Sequence, residues 1–139
     1  AGMAAVGCGD DDDDDAPAAT TAASVTKVTA MEADGTITLD AASSDGGSVE
    51  FTIRNTGKLT HEFVVLKTDL TEDKLPLTAD GSAVDESGTG VAGAGERESI
   101  AAGSEAELSL DGLAPGDYVI ICNVPGHYGL GMHTPFTVR

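Results

Sequence analysis

Leu113-Ala-Pro-Gly-Asp-Tyr118-Val-Ile-Ile-Cys122-Asn-Val-Pro-Gly-His127-Tyr-Gly-Leu-Gly-Met132 is the stretch on which the reading of the whole chain turns. Pro115-Gly116-Asp117 presets a tight turn. The β-branched run that follows, Asp117 to Cys122, reads as a buried strand. Pro125-Gly126 then reverses the chain, and Met132 to Arg139 reads as the next strand. Working outward, the same rhythm of short alternating runs between turn residues recurs at Val25 to Ala30, Thr36 to Asp40, Ser48 to Asn55, His61 to Thr68 and Glu105 to Leu110. Ala33-Asp34-Gly35 and Asp45-Gly46-Gly47 are expected to supply the positive φ of tight turns. Seven to eight short strands in so short a chain predict an all-β fold, a Greek-key β-sandwich.

Residues 69–98 break the rhythm. Five glycines between Gly81 and Gly95 and few large apolar side chains predict one long loop insertion on the surface, with a short turn of helix near Glu72 and no chemistry of its own. Residues 1–24 also stand apart. Six consecutive carboxylates, Asp10 to Asp15, repel one another, and the Ala/Thr/Pro/Ser run after them has no apolar period, so this segment reads as a disordered tether to a domain spanning 25–139. Ala5-Val6-Gly7-Cys8 resembles a bacterial or archaeal lipobox, which implies lipidation of Cys8 and a membrane anchor.

Composition narrows the function. Seven Lys plus Arg against 24 Asp plus Glu give a formal charge of −17, which repels phosphate backbones and argues against nucleic acid as a partner class. Two cysteines, Cys8 and Cys122, cannot build a disulfide framework, and pairing them would tie the tether to the end of a core strand.

Cys122, His127 and Met132 fall at five-residue intervals around the Pro125-Gly126 reversal. A thiolate, an imidazole and a thioether that converge on one point suit a metal, and the two sulfur donors select copper over magnesium, calcium or manganese. A fourth donor must come from elsewhere. Of the three histidines, His133 neighbours Met132 in a strand and should face the other way. That leaves His61, which opens its own strand. His61, Cys122 and His127 then form a trigonal set with Met132 as the weak axial ligand, the arrangement of blue-copper sites. Tyr118 reads as a packed strand residue or a tyrosine-corner analogue.

These residues resemble the cupredoxins, the small blue-copper family. Asn55-Thr-Gly-Lys-Leu-Thr-His61-Glu-Phe is similar to the family's first-ligand region, and Leu113 to Met132 to the strand and loop bearing the other three ligands. The C-x₄-H-x₄-M spacing is similar to that of auracyanins, rusticyanins and sulfocyanins. One departure is Glu62, where many members carry Asn or Ser; its backbone N–H can still donate to the thiolate, while its carboxylate would favour Cu(II).

The resemblance implies one copper per chain cycling between Cu(I) and Cu(II), and an electron carrier rather than an enzyme, because protein donors fill every coordination position. The imidazole edge of His127, ringed by Val124-Pro125-Gly126 and Tyr128-Gly129-Leu130, is the expected exit for the electron, to transient partners such as c-type cytochromes or a terminal oxidase. Without Asp10 to Asp15 the domain still carries 18 acidic against seven basic residues. That charge would steer a basic partner, or else solvate the surface in a saline setting. The expected state is a monomer, lipid-anchored outside the cytoplasmic membrane. Alternatives are a copper carrier or storage protein of the same fold, whose cue would be Met or His clusters beyond Met3, Met31 and Met132, and a metal-free sandwich serving adhesion.

Overall fold

The structure, a computed structural model, describes residues 24–139. Cys8 and all but the last residue of the 1–24 segment lie outside the described residues. Nine strands form among those described: β1 (Thr26–Ala33), β2 (Thr36–Leu39), β3 (Ser43–Ser44), β4 (Val49–Asn55), β5 (His61–Lys67), β6 (Ala92–Ile100), β7 (Glu105–Leu110), β8 (Gly116–Ile121) and β9 (His133–Val138). They make two mixed sheets, in the orders β2-β1-β4-β7 and β3-β9-β8-β5-β6. In the first sheet β1 runs parallel to β4, from Thr26 opposite Val49 to Glu32 opposite Asn55. In the second, β8 lies antiparallel between β5 and β9, pairing Ile121 with Val64 on one side and with His133 on the other. That register sets Cys122, one residue past β8, level with the start of β5.

The period-2 alternation explains the sandwich. Val28 and Ala30 of β1 and Phe51 and Ile53 of β4 face Phe63, Val65, Ile120 and Phe136 of the second sheet, and all are buried. The chain's three phenylalanines gather here, the Phe51 ring 5.1 Å from Phe63 and 5.5 Å from Phe136 between centroids, in tilted and edge contacts that aromatic quadrupoles favour. Tyr118 packs in the same core and donates to the Ala114 carbonyl at 2.7 Å, four residues upstream, the geometry of a tyrosine corner.

Four expectations are corrected. The strand count is nine rather than seven to eight, because β3 and β6 are added. β6 occupies much of what reads as surface insertion: Ala92–Ile100 has no apolar alternation, yet it pairs along β5 as the edge of the second sheet. The remaining loop, 68–91, is no free insertion. Leu75 and Val84 pack with Val64, Leu66, Val119, Ile121 and Tyr128 in a second buried cluster on the outer face of the second sheet. Near Glu72 the chain makes a turn, not helix. Finally, Gly35 has the positive φ expected of its turn (99°), but Gly46 and Gly47 do not take positive φ; Gly47 is needed because a Cβ there would overlap the Leu113 backbone.

Candidate metal centre

His61 opens β5, and its position depends on the connection before it. Asn55, buried at the end of β4, donates from Nδ2 to the carbonyls of Leu59 (2.8 Å) and Ile100 (2.9 Å) and accepts from the Gly57 N–H (3.0 Å). One side chain thus folds the 56–60 loop onto the sandwich end. Opposite His61, β6 pairs through Ile100 after a register shift, and Ser99 beside it has a φ of 53°. Bulges of this kind re-aim side chains near functional sites.

The other donors come from the 122–132 loop. Cys122 N–H donates to the Met132 carbonyl at 3.1 Å, closing the loop at its base, and the Met132 N–H reaches the His127 carbonyl at 3.3 Å. A short 3₁₀ turn, Tyr128–Leu130, lies between His127 and Met132. The 68–91 loop braces this segment from outside. Gly126 N–H donates to the Ser82 carbonyl at 2.7 Å, Asn123 Oδ1 accepts from Val84 N–H at 2.8 Å, and Tyr128 Oη donates to the Glu72 carbonyl at 2.7 Å.

Three of the four expected donors converge directly. His61 Nδ1 lies 3.1 Å from His127 Nδ1, and Cys122 Sγ lies 3.7 Å from the first and 3.5 Å from the second. Metal–nitrogen bonds of about 2.0 Å and a metal–thiolate bond of about 2.3 Å span such separations, so one ion fits among these atoms. Met132 is fully buried and its side chain belongs to the same core cluster as Cys122. His133 stands apart on the other face, its ring packed on Tyr128 and its Nδ1 3.2 Å from Glu72 Oε2 without hydrogen-bond alignment.

The electrostatics suit an ion that displaces a proton. Burial pushes the Cys122 thiol up to about 11, against the pull of the Glu62 and Val124 N–H groups. The Glu62 N–H donates to Cys122 Sγ at 3.3 Å despite the acidic side chain it carries. Burial also lowers His127, helped by the neighbouring His61, so its ring favours the neutral form that ligates metals. Glu62 itself is raised, first by burial and then by Glu98, Glu86 and Glu96.

Sequence reasoning missed two carboxyl groups here. Asp34, read only as a turn residue, places Oδ1 3.0 Å from His61 Nε2. Glu32, on the inward face of β1, is fully buried with neither carboxyl oxygen hydrogen-bonded, and burial, then Glu62, raises it to about 8. The apolar ring around His127 also differs from expectation. Pro125, Gly126, Gly129 and Leu130 are exposed, Leu130 at 71%, whereas Tyr128 is turned inward under the 68–91 loop. Among the described residues, no helix is long and apolar enough to cross a membrane.

A family model described as the sulfocyanin (SoxE) domain matches residues 19–139. Among solved structures, the chain is similar to auracyanin A of Chloroflexus aurantiacus, a blue copper protein (18% identity, TM-score 0.57, covering 84% of this chain and 100% of that one). It is similar also to dithionite-reduced auracyanin of Roseiflexus castenholzii (20%, TM-score 0.56, 83% and 96%) and to rusticyanin of Thiobacillus ferrooxidans (23%, TM-score 0.56, 83% and 77%). At such identities the likeness establishes the fold. No curated protein sequence matches the chain.

Proposed function

The chain belongs to the sulfocyanin (SoxE) domain family of cupredoxins, and on that footing we propose that it is a one-electron carrier with a single type 1 copper held by His61, Cys122 and His127, with Met132 as the weak axial donor. The observation that carries the reading is the convergence of two imidazole nitrogens and one thiol sulfur, 3.1 to 3.7 Å apart, at one end of the sandwich. Copper bound there supplies a couple between Cu(I) and Cu(II). The protein's part is to hold both imidazoles and the thiolate in one arrangement for either state, so that little has to move when an electron arrives or leaves. Asn55 and the Cys122–Met132 backbone bond fix that arrangement, and complete burial of His61, Cys122 and Met132 keeps water from it. With protein donors at each position, no site remains for a substrate, so the role is transfer rather than turnover.

Electrons pass through the partly exposed ring of His127. Its surroundings, Pro125, Gly126, Gly129 and Leu130, form a small uncharged face suited to a short-lived encounter with a redox protein such as a c-type cytochrome or a terminal oxidase. The acidic domain steers a basic partner to that face, and the association rate falls as salt rises. The protein works as a monomer outside the cytoplasmic membrane, tethered through lipid on Cys8.

The test begins with metal-free protein and one equivalent of Cu(II). An intense thiolate-to-copper absorption that Cys122→Ser abolishes supports the copper reading; a colourless wild-type protein overturns it. Stopped-flow mixing with a c-type cytochrome then separates carrier from store, since a storage protein exchanges copper but passes electrons slowly.

A further inference from the structure

Asp34 sits in the turn between β1 and β2, 27 residues before His61, yet its carboxylate, on the solvent side, touches the ring nitrogen of His61 that faces away from the other donors. Oδ2 accepts from the Lys58 N–H at 2.9 Å, and Oδ1 accepts from the Leu59 N–H at 3.3 Å and lies 3.0 Å from His61 Nε2. The two backbone donors come from the connection that leads into β5, so the carboxylate is held from the same side as the histidine it touches. Gly57 completes the cradle: a Cβ at that position would overlap Asp34 Oδ1. A solvent-facing aspartate is an anion at neutral pH, and the two N–H groups aim that charge at the ring.

A carboxylate only accepts hydrogen bonds, so the contact requires a proton on His61 Nε2. A neutral imidazole protonated there has its lone pair on Nδ1. Nδ1 is the nitrogen that faces His127 Nδ1 and Cys122 Sγ. The same carboxylate places a negative charge against the far side of the ring, which strengthens the imidazole as a donor and favours the more highly charged metal state.

We propose that Asp34 is a positioning residue that holds His61 in the Nε2–H tautomer, lone pair toward the metal, and biases the centre toward Cu(II) over Cu(I). This rests on the copper reading above, but half of it is measurable without metal. Nitrogen-15 NMR of the metal-free wild-type protein, under mildly alkaline conditions, should find the His61 proton on Nε2; a proton on Nδ1 overturns the proposal. Asp34→Asn removes the charge and keeps one acceptor oxygen, in the place of Oδ1, for His61 and the Leu59 N–H, at the cost of the shorter Lys58 N–H bond to Oδ2. In that variant the blue absorption should persist, and the ratio of Cu(II) to Cu(I) affinity should fall by roughly tenfold, a rise of about 59 mV for a one-electron couple. Asp34→Ala, which removes the acceptor as well, should shift the metal-free His61 tautomer toward Nδ1–H, and Asn at the same position should restore it. A ratio within twofold of wild type in Asp34→Asn overturns the electrostatic role. Failure of the wild-type protein to take up copper with colour is a different result: it sinks the copper reading and leaves the tautomer measurement standing.

Discussion

The two faces of β5 solve different problems with the same strand. Inward, Phe63 and Val65 meet Phe51, Ile53 and other side chains held mostly in paired strands of the opposite sheet, and His61 meets Cys122 and His127 at the sandwich end. Outward, Val64 and Leu66 meet Leu75 and Val84, which sit on a loop whose pairing within itself is a single bridge between Leu77 and Val84. The inner face therefore carries the fold and three buried donors. The outer face carries a brace, tied through Ser82, Val84 and Glu72 to the loop that bears His127. Rigidity at the metal centre comes from both, but a defect should spread differently. Inside it weakens both sheets together, whereas outside the 68–91 loop can loosen alone, as segments with few paired strands do.

Truncation of the inner face is the harshest way to probe this difference. Phe63 is fully buried, two residues from His61 on the same face, and its ring packs at a tilt against Phe51, 5.1 Å between centroids. Phe63→Ala leaves a ring-sized cavity between two sheets that cannot close over it, at a cost of about 4 kcal/mol. Urea unfolding of the metal-free protein checks this. A loss below about 1.5 kcal/mol would mean that the sandwich interior relaxes as easily as a loop-covered surface, and the contrast between the faces would fail.

The inner face also contains its own exception. Glu32 is fully buried with no hydrogen bond to either oxygen, and burial, then Glu62, raises its carboxyl from 4.5 to about 8. The sign follows from linkage. Below pH 4.5 the acid is protonated folded or unfolded and costs nothing extra. Between the two values the unfolded chain has released a proton that the folded chain keeps, so stability falls as pH rises through this window and levels off above about 8. Glu32→Gln removes the ionisable group at nearly constant volume. It should stabilise the metal-free protein at pH 8 by of order 4 kcal/mol and leave stability near pH 4.5 little changed. Equal effects at the two pH values would show that packing at this position, not charge, sets the energy of the inner face.

How much of this was legible depends on how local each signal is. β1, β4, β7 and β9 are written in their own alternation, since each buries one face and wets the other. β6 is not: Ala92–Ile100 is polar and glycine-rich, and it becomes a strand because β5 presents an unpaired edge to it, a tertiary effect that overrides propensity. β3, two residues long, exists only through parallel pairing to β9. At the metal centre, Cys122, His127 and Met132 stand out because eleven consecutive residues contain them, and His61 because few histidines compete. Asp34 and Asn123 act on partners that only the fold brings near, and Asn55 joins its own loop to Ile100, so a turn signal or a lone amide is all their sequence displays. Glu32 was hidden for the opposite reason, because an acidic residue beside a turn reads as solvated until the fold closes around it.

The gentlest probe lies on the outer face, at Tyr128. Its ring packs against His133 with centroids 5.2 Å apart, and its hydroxyl accepts from the Leu75 N–H at 3.2 Å while donating to the Glu72 carbonyl. Tyr128→Phe keeps the ring and strips the brace of these two bonds, leaving the Leu75 N–H buried without a partner, at a cost of about 1 to 2 kcal/mol. Because β5 and β8 lie between the lost bonds and the inner cluster, the visible absorption of the copper-loaded variant should keep its position and intensity. Amide hydrogen exchange should quicken across 68–91 and stay slow in β4 and β8. Faster exchange in β4, on the far side of the sandwich, would show that the two faces open as one unit, and the brace would then be as much a part of the fold as the sheets it covers.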